Sequence, residues 1–149
     1  MSKLHFDRKA MPVIPEHRPM YKICQILLIL KLSSIGGKSS LIRLHLFNWA
    51  LKDEKRKHVL MISADKKELS FGVWGIDPSL NMALNYANSE GLIGLNNSGY
   101  KLSIKGSEFL LKFKIMELFE DDSKILTTIG KKITEKMVTD VAQRWKNEI

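Results

Sequence analysis

Apolar and polar residues alternate along this chain with a period that changes, and each change predicts a new element. From 20 to 33 apolar residues occupy nearly every face, including the run Ile23 to Leu30, which predicts a central buried helix. The sequence Ser33-Ser34-Ile35-Gly36-Gly37 ends it in a helix-to-helix turn, and Ser39 or Ser40 caps a second helix over 40–52. Leu41, Leu44, Leu51 and Phe47 or His45 lie near one face of that helix, and Ile42, Leu46, Trp49 and Ala50 widen it, so it is too apolar for a free surface helix. A charged turn over 52–58 follows, then a short helical segment over 59–62.

Residues 69–76 mix aromatic and β-branched side chains with Gly72 and Gly75, as expected of a short strand or an irregular connection. Asp77 followed by Pro78 is a strong helix start, with Leu80, Ala83, Leu84 and Ala87 as the buried stripe and Gly91 as the stop. Two strand-like runs, 92–95 and 100–104, flank Asn96-Asn97-Ser98-Gly99 and predict a hairpin. A helix over 106–119 then buries Phe109, Leu110, Phe113 and Met116. After Glu120-Asp121-Asp122 a last helix runs to Trp145. Its apolar residues Ile125, Ile129, Ile133, Met137, Val141 and Trp145 recur every fourth position, so the stripe drifts about 40° per step around a 3.6-residue helix.

The first nineteen residues carry Pro12, Pro15 and Pro19 without apolar periodicity and read as an extended arm. The expected organisation is therefore an arm over 1–19, a winged-helix domain over 20–119 and a C-terminal helical segment over 120–149. The fold class is mainly α with a small β-hairpin, because helix, helix, helix and hairpin in that order make a winged helix-turn-helix.

Composition alters this picture mainly through charge. The 149 residues are 44% hydrophobic and carry net +8, a size that suits one compact domain with an appended helical segment. Residues 1–72 hold +8, residues 73–100 hold −2 and residues 101–149 hold +2, and no Lys or Arg stands between Phe71 and Tyr100. A polyanion footprint therefore falls on the N-terminal half. The apolar run at 23–30 is far short of the roughly 20 residues that span a bilayer, and no secretory signal pattern opens the chain. The lone Cys24 cannot form an internal disulfide, so a cytoplasmic protein that does not engage membranes is expected.

Little in the chain suggests catalysis or a cofactor. Gly37-Lys38-Ser39 matches the end of a phosphate loop, but Leu32 stands where the motif needs its first glycine, and no preceding strand or later metal-binding aspartate is evident. His5, His17, His45 and His58 have no metal-ligand spacing with Cys24, and no nucleophile, base and acid set can be assembled. No cofactor, metal or enzymatic activity is expected.

The helix before the hairpin is the one that reads DNA in a winged helix. Here it offers asparagines, Asn81 and Asn85 among them, but no cation for the phosphate contacts that supply most affinity. That surface fits a protein contact better. The candidate partner-binding residues are therefore Asn81, Asn85 and the stripe Ile129, Ile133, Met137, Val141 and Trp145. Candidate contacts to nucleic acid or an acidic partner are Lys52, Lys55, Arg56, Lys57, Lys66 and Lys67.

The helix core Leu44-His45-Leu46-Phe47-Asn48-Trp49-Ala50-Leu51, followed by the Asp77-Pro78 helix start, Glu90-Gly91-Leu92 and the run Tyr100 to Gly106, resembles the middle-component proteins of bacterial ABC three-component systems, Lamassu-type antiphage systems included. The resemblance covers about residues 20–110. It implies a non-catalytic adaptor that joins an SMC-like ABC ATPase to an effector, often a nuclease, in a DNA-sensing defence complex, with DNA contact possible inside the assembly. The alternative is a dimeric winged-helix transcription regulator, suggested by element order, charge and a C-terminal helix able to dimerise.

Overall fold

The structure, a computed structural model, describes residues 18–69 and 74–148, without the side chains of 146–148. Helix α1 (Pro19–Leu32) opens it with a proline in its first turn, where a missing N–H removes no helical bond. Most of the expected arm, 1–17, lies outside the described residues, and Pro19 belongs to the helix. Every residue from Lys22 to Leu30 is buried, as the unbroken apolar pattern requires. Full burial of each leucine and isoleucine among them contributes roughly 1.5–3 kcal/mol.

The turn after α1 does not lead straight into a second helix. A 3-10 turn (Ile35–Gly37), with Gly36 at φ 63 and Gly37 at φ 71, delivers the chain into a two-residue strand β1 (Lys38–Ser39). Periodicity cannot reveal a strand that short. Helix α2 (Leu41–Ala50) follows with the Ser40 side chain capping Arg43 N–H. The expected charged turn over 52–58 is instead the start of helix α3 (Glu54–Lys66): Asp53 caps it at Lys55 N–H, and Lys57 pairs with Glu54 at 3.1 Å. Charges that looked like a solvated turn are the capped first turns of one helix.

Helix α4 (Pro78–Ser89) starts at Asp77 and ends before Gly91, which stands at φ 77, as expected. Strands β2 (Ile93–Asn96) and β3 (Gly99–Leu102) form the hairpin, with Asn96 opposite Gly99. Strand β1 adds to β3, giving an antiparallel three-stranded sheet in the order β1-β3-β2. Gly99 is needed there, since a Cβ would collide with the Ser39 carbonyl of β1.

The predicted helix over 106–119 is two helices, α5 (Ile104–Lys112) and the short α6 (Ile115–Leu118). Ser103 caps α5, and Lys114 in the left-handed region at φ 50 separates the two. That break turns Ile115 into the core and leaves Met116, expected to be buried, 40% exposed. The last helix is also two, α7 (Glu120–Ile129) and α8 (Glu135–Glu148). Gly130 at φ 55 breaks them, and the Thr134 hydroxyl accepts from Met137 N–H at the start of α8. An apolar repeat of four drifts around a single helix; breaking the helix lets both halves face one core.

The molecule is thus mainly helical with a small antiparallel sheet. Helix α1 is its axis and packs on α2, α4, α5, α6 and α7. Leu126, Ile129, Ile133, Val138 and Val141 belong to the same hydrophobic cluster as α1, so residues after 119 build the core and are not an appended segment. Among the described residues no helix is long and apolar enough to cross a membrane.

Candidate protein-interaction site

The second helix is buried and apolar, yet it carries His45 and Asn48 three residues apart on one side, and Lys52 stands in the turn just after its end. These side chains converge on Asp77, the N-cap of α4. Asn48 donates from Nδ2 to Asp77 Oδ2 at 3.1 Å, and Lys52 Nζ lies 2.9 Å from the same oxygen. Lys22 of α1, 1% exposed, reaches Asp77 Oδ2 at 3.1 Å and Asn48 Oδ1 at 3.0 Å. The other carboxylate oxygen accepts from Ser79 N–H and from the Ser79 hydroxyl. Burial raises the Asp77 carboxyl, but the hydrogen bonds from Ser79, Lys52, Asn48 and Lys22 outweigh it and hold the group well below the usual carboxylate range.

His45 completes the cluster. Its Nδ1 accepts from Asp77 N–H at 3.3 Å, which leaves Nε2–H to donate to Asn81 Oδ1 at 3.2 Å. This is the neutral ring with both nitrogens used. Burial pushes its pKa below 6.5, opposed by Asn81 and Asp77. The cluster is legible in hindsight: a lysine at the head of the apolar run of α1, buried with it, needs a carboxylate, and residues 73–100 offer only Asp77 and Glu90.

The anchor fixes which side of α4 meets solvent. Leu80, Ala83, Leu84 and Ala87 face the core, while Pro78, Met82, Asn85 and Ser89 are exposed, Met82 by 68%. Ile76, just before the helix, is 64% exposed. This face bears no charge. Of the two asparagines singled out as partner contacts, Asn85 stays exposed and Asn81 is held by His45.

The other expected partner residues are already engaged within the chain. Ile129, Ile133 and Val141 are at most 2% exposed, and Met137 and Trp145 pack against the core. Trp145 meets Trp74 edge-on at 4.5 Å, and Trp74 Nε1 donates to the Ile42 carbonyl. The apolar stripe of the tail is therefore an internal seam and not an open docking face. Arg43 welds this seam: buried to 3%, it donates to the carbonyls of Ile133 and Ser33 and to the hydroxyls of Ser34 and Ser39. Burial pushes its guanidinium down to about 10, opposed by Glu135, so it is charged at neutral pH. Glu135 in turn accepts from Ser40 N–H and from the Ser40 hydroxyl. A carboxylate thus already occupies the N-terminus of α2, the place where a phosphate loop would hold its anion.

The six expected basic contacts are not one patch. Lys52 is bound to Asp77. Arg56 stacks on Trp49 at 4.2 Å and donates to the Trp49 carbonyl. Lys57 pairs with Glu54 and lies 3.7 Å from Asp122; burial alone would lower its pKa, and those carboxylates raise it above 10.5. Lys55, Lys66 and Lys67 are exposed, with no ion pair among the described residues. A pair that spacing could not show lies on the sheet, where Lys38 of β1 sits directly opposite Lys101 of β3, both exposed. Like charges in that register repel.

Among the described residues no three histidine, cysteine or acidic side chains are grouped to hold a metal. Cys24 is buried in α1, and burial pushes its thiol up to about 12, so the nucleophilic thiolate is scarcely populated at neutral pH. No family model, curated protein or solved structure matches the chain.

Proposed function

We propose that this protein is a non-catalytic adaptor built on a winged helix, which joins an SMC-like ABC ATPase to an effector nuclease in a cytoplasmic bacterial defence complex. The order α1, β1, α2, α4, β2, β3 and the strand order β1-β3-β2 support the winged-helix reading, in which α3 would be an addition between α2 and α4. The observation that carries the reading is the uncharged solvent face of α4. Pro78, Met82, Asn85 and Ser89, with Ile76 beside them, present apolar and amide surface suited to a protein and offer no cation to a phosphate backbone. Three of the residues within the motifs that resemble middle components, His45, Asn48 and Asp77, help to anchor this helix.

The test is co-purification of the full chain with the SMC-like ATPase encoded beside it. Wild type should associate, and Met82→Glu should abolish association, because it places a charge at the centre of an apolar contact without disturbing the core. A chain that stays a partner-free monomer beside its neighbouring gene products would sink the reading.

One observation favours the alternative, a dimeric DNA-binding regulator. The Lys38 and Lys101 pair sits exposed on the sheet and would gain from a phosphate between its ammonium groups. That reading requires a preferred duplex from a random pool, bound with strong salt dependence.

A further inference from the structure

We infer that the outer face of α5 is a second docking surface, and that it takes an acidic amphipathic helix of a partner protein. Ile104 and Leu111 are 81% and 78% exposed, and their seven-residue spacing places them on one side of α5. Such side chains form a ridge, with a groove on each side of Leu111. One groove, of about 590 Å³, is floored by Leu92, Phe109 and Phe113 and rimmed by Lys105 and Lys112. The other, of about 150 Å³, is lined by buried Leu110 and exposed Met116, with Lys31 and Lys114 at its edge. Each groove has two lysines to a single carboxylate, Glu108 or Glu117. Lys114 also holds a left-handed backbone at φ 50, where glycine would be unstrained, so a cation stands at a position whose conformation disfavours it.

An apolar ridge between two lysine rims is complementary to a helix with an apolar stripe edged by glutamates or aspartates. The alternatives fit less well. A second copy packed by two-fold symmetry would bring the lysines of both molecules together. Nucleic acid leaves Ile104 and Leu111 without an apolar counterpart and sets Glu108 and Glu117 against phosphates. The inference goes beyond the adaptor reading because it does not depend on α4, although an adaptor needs two surfaces.

The test uses the full chain and two fluorescein-labelled helical peptides, one with a leucine stripe flanked by glutamates and one with lysines replacing the glutamates. The glutamate peptide should bind with an affinity that falls with salt, and the lysine peptide should not. Leu111→Glu and Lys112→Glu should each weaken binding by about tenfold. Lys114→Gly should weaken it while leaving the melting temperature equal or higher, which separates a binding role from a structural one. Met82→Glu should change nothing here, so this inference and the α4 reading fail independently. Equal binding of both peptides, no binding of the glutamate peptide, or indifference to Leu111→Glu and Lys112→Glu would overturn the proposal. So would phosphatidylserine vesicles or duplex DNA that bind the chain more tightly with the same variant sensitivity.

Discussion

Lys22 and Arg43 are both buried within a few per cent of completely, yet the protein satisfies them in different ways. Lys22 meets a carboxylate, Asp77, which also pairs with Lys52 and accepts a hydrogen bond from Asn48. Arg43 meets neutral oxygens, two backbone carbonyls and two hydroxyls, with Glu135 acting on it only at longer range. The first arrangement ties α1 and α2 to the start of α4 and so orients the proposed docking face. The second ties the turn after α1, strand β1 and α2 to the chain just before α8, and so makes the tail part of the core. A lysine offers a point charge and suits one carboxylate; the planar fork of arginine can gather several carbonyls from separate segments.

The largest effect that would break this contrast is Asp77→Ala. It removes the cap of α4 and leaves Lys22 buried without its anion, and the expected loss is about 3–5 kcal/mol in urea unfolding. Lys22→Met should be far milder, since the remaining Asp77 keeps Lys52, Asn48 and Ser79. If Asp77→Ala lost only the ~1 kcal/mol of a missing cap, the pairing of Lys22 would not hold.

Arg43→Met should follow, at about 2–4 kcal/mol, because it orphans the buried carbonyls of Ser33 and Ile133. Unlike the Asp77 variant it should loosen the tail first, read as early hydrogen exchange in α8 relative to α4.

The smallest effect is the His45 step of the pH profile. His45 has a folded pKa below its unfolded value near 6.5, so the stability it contributes is complete above that pH and declines as pH falls below it. Asp77 is depressed as well, so its contribution is complete above the unfolded pKa near 4 and is lost on further acidification. Melting temperature should therefore fall in two steps from neutral to acid. His45→Asn should remove the upper step, whereas Arg43→Met should keep both.

Elements specified by neighbouring residues were legible in the sequence. The Asp77-Pro78 start, the Gly91 stop and the hairpin around Asn96 to Gly99 depend on local turn and cap chemistry, and all stand where the pattern puts them. The stretch Lys52 to His58 was misleading because a capped, salt-bridged first turn and a solvated turn have the same composition. The tail was misleading because Gly130 can sit within a periodic pattern, and only packing decides whether it bends there. Asn81 and Asn85 look alike along α4, and their difference depends on His45, thirty-six residues before Asn81.

By itself the sequence determined the helical character, the position of the hairpin and the absence of positive charge from α4, since each follows from residue type and short-range spacing. Tertiary structure alone decided that Lys22, Asn48 and Lys52 meet at Asp77, that the tail closes the core and that Ile104 and Leu111 remain uncovered. Those outcomes depend on which surfaces distant segments bury together, and burial is a property of the assembled chain.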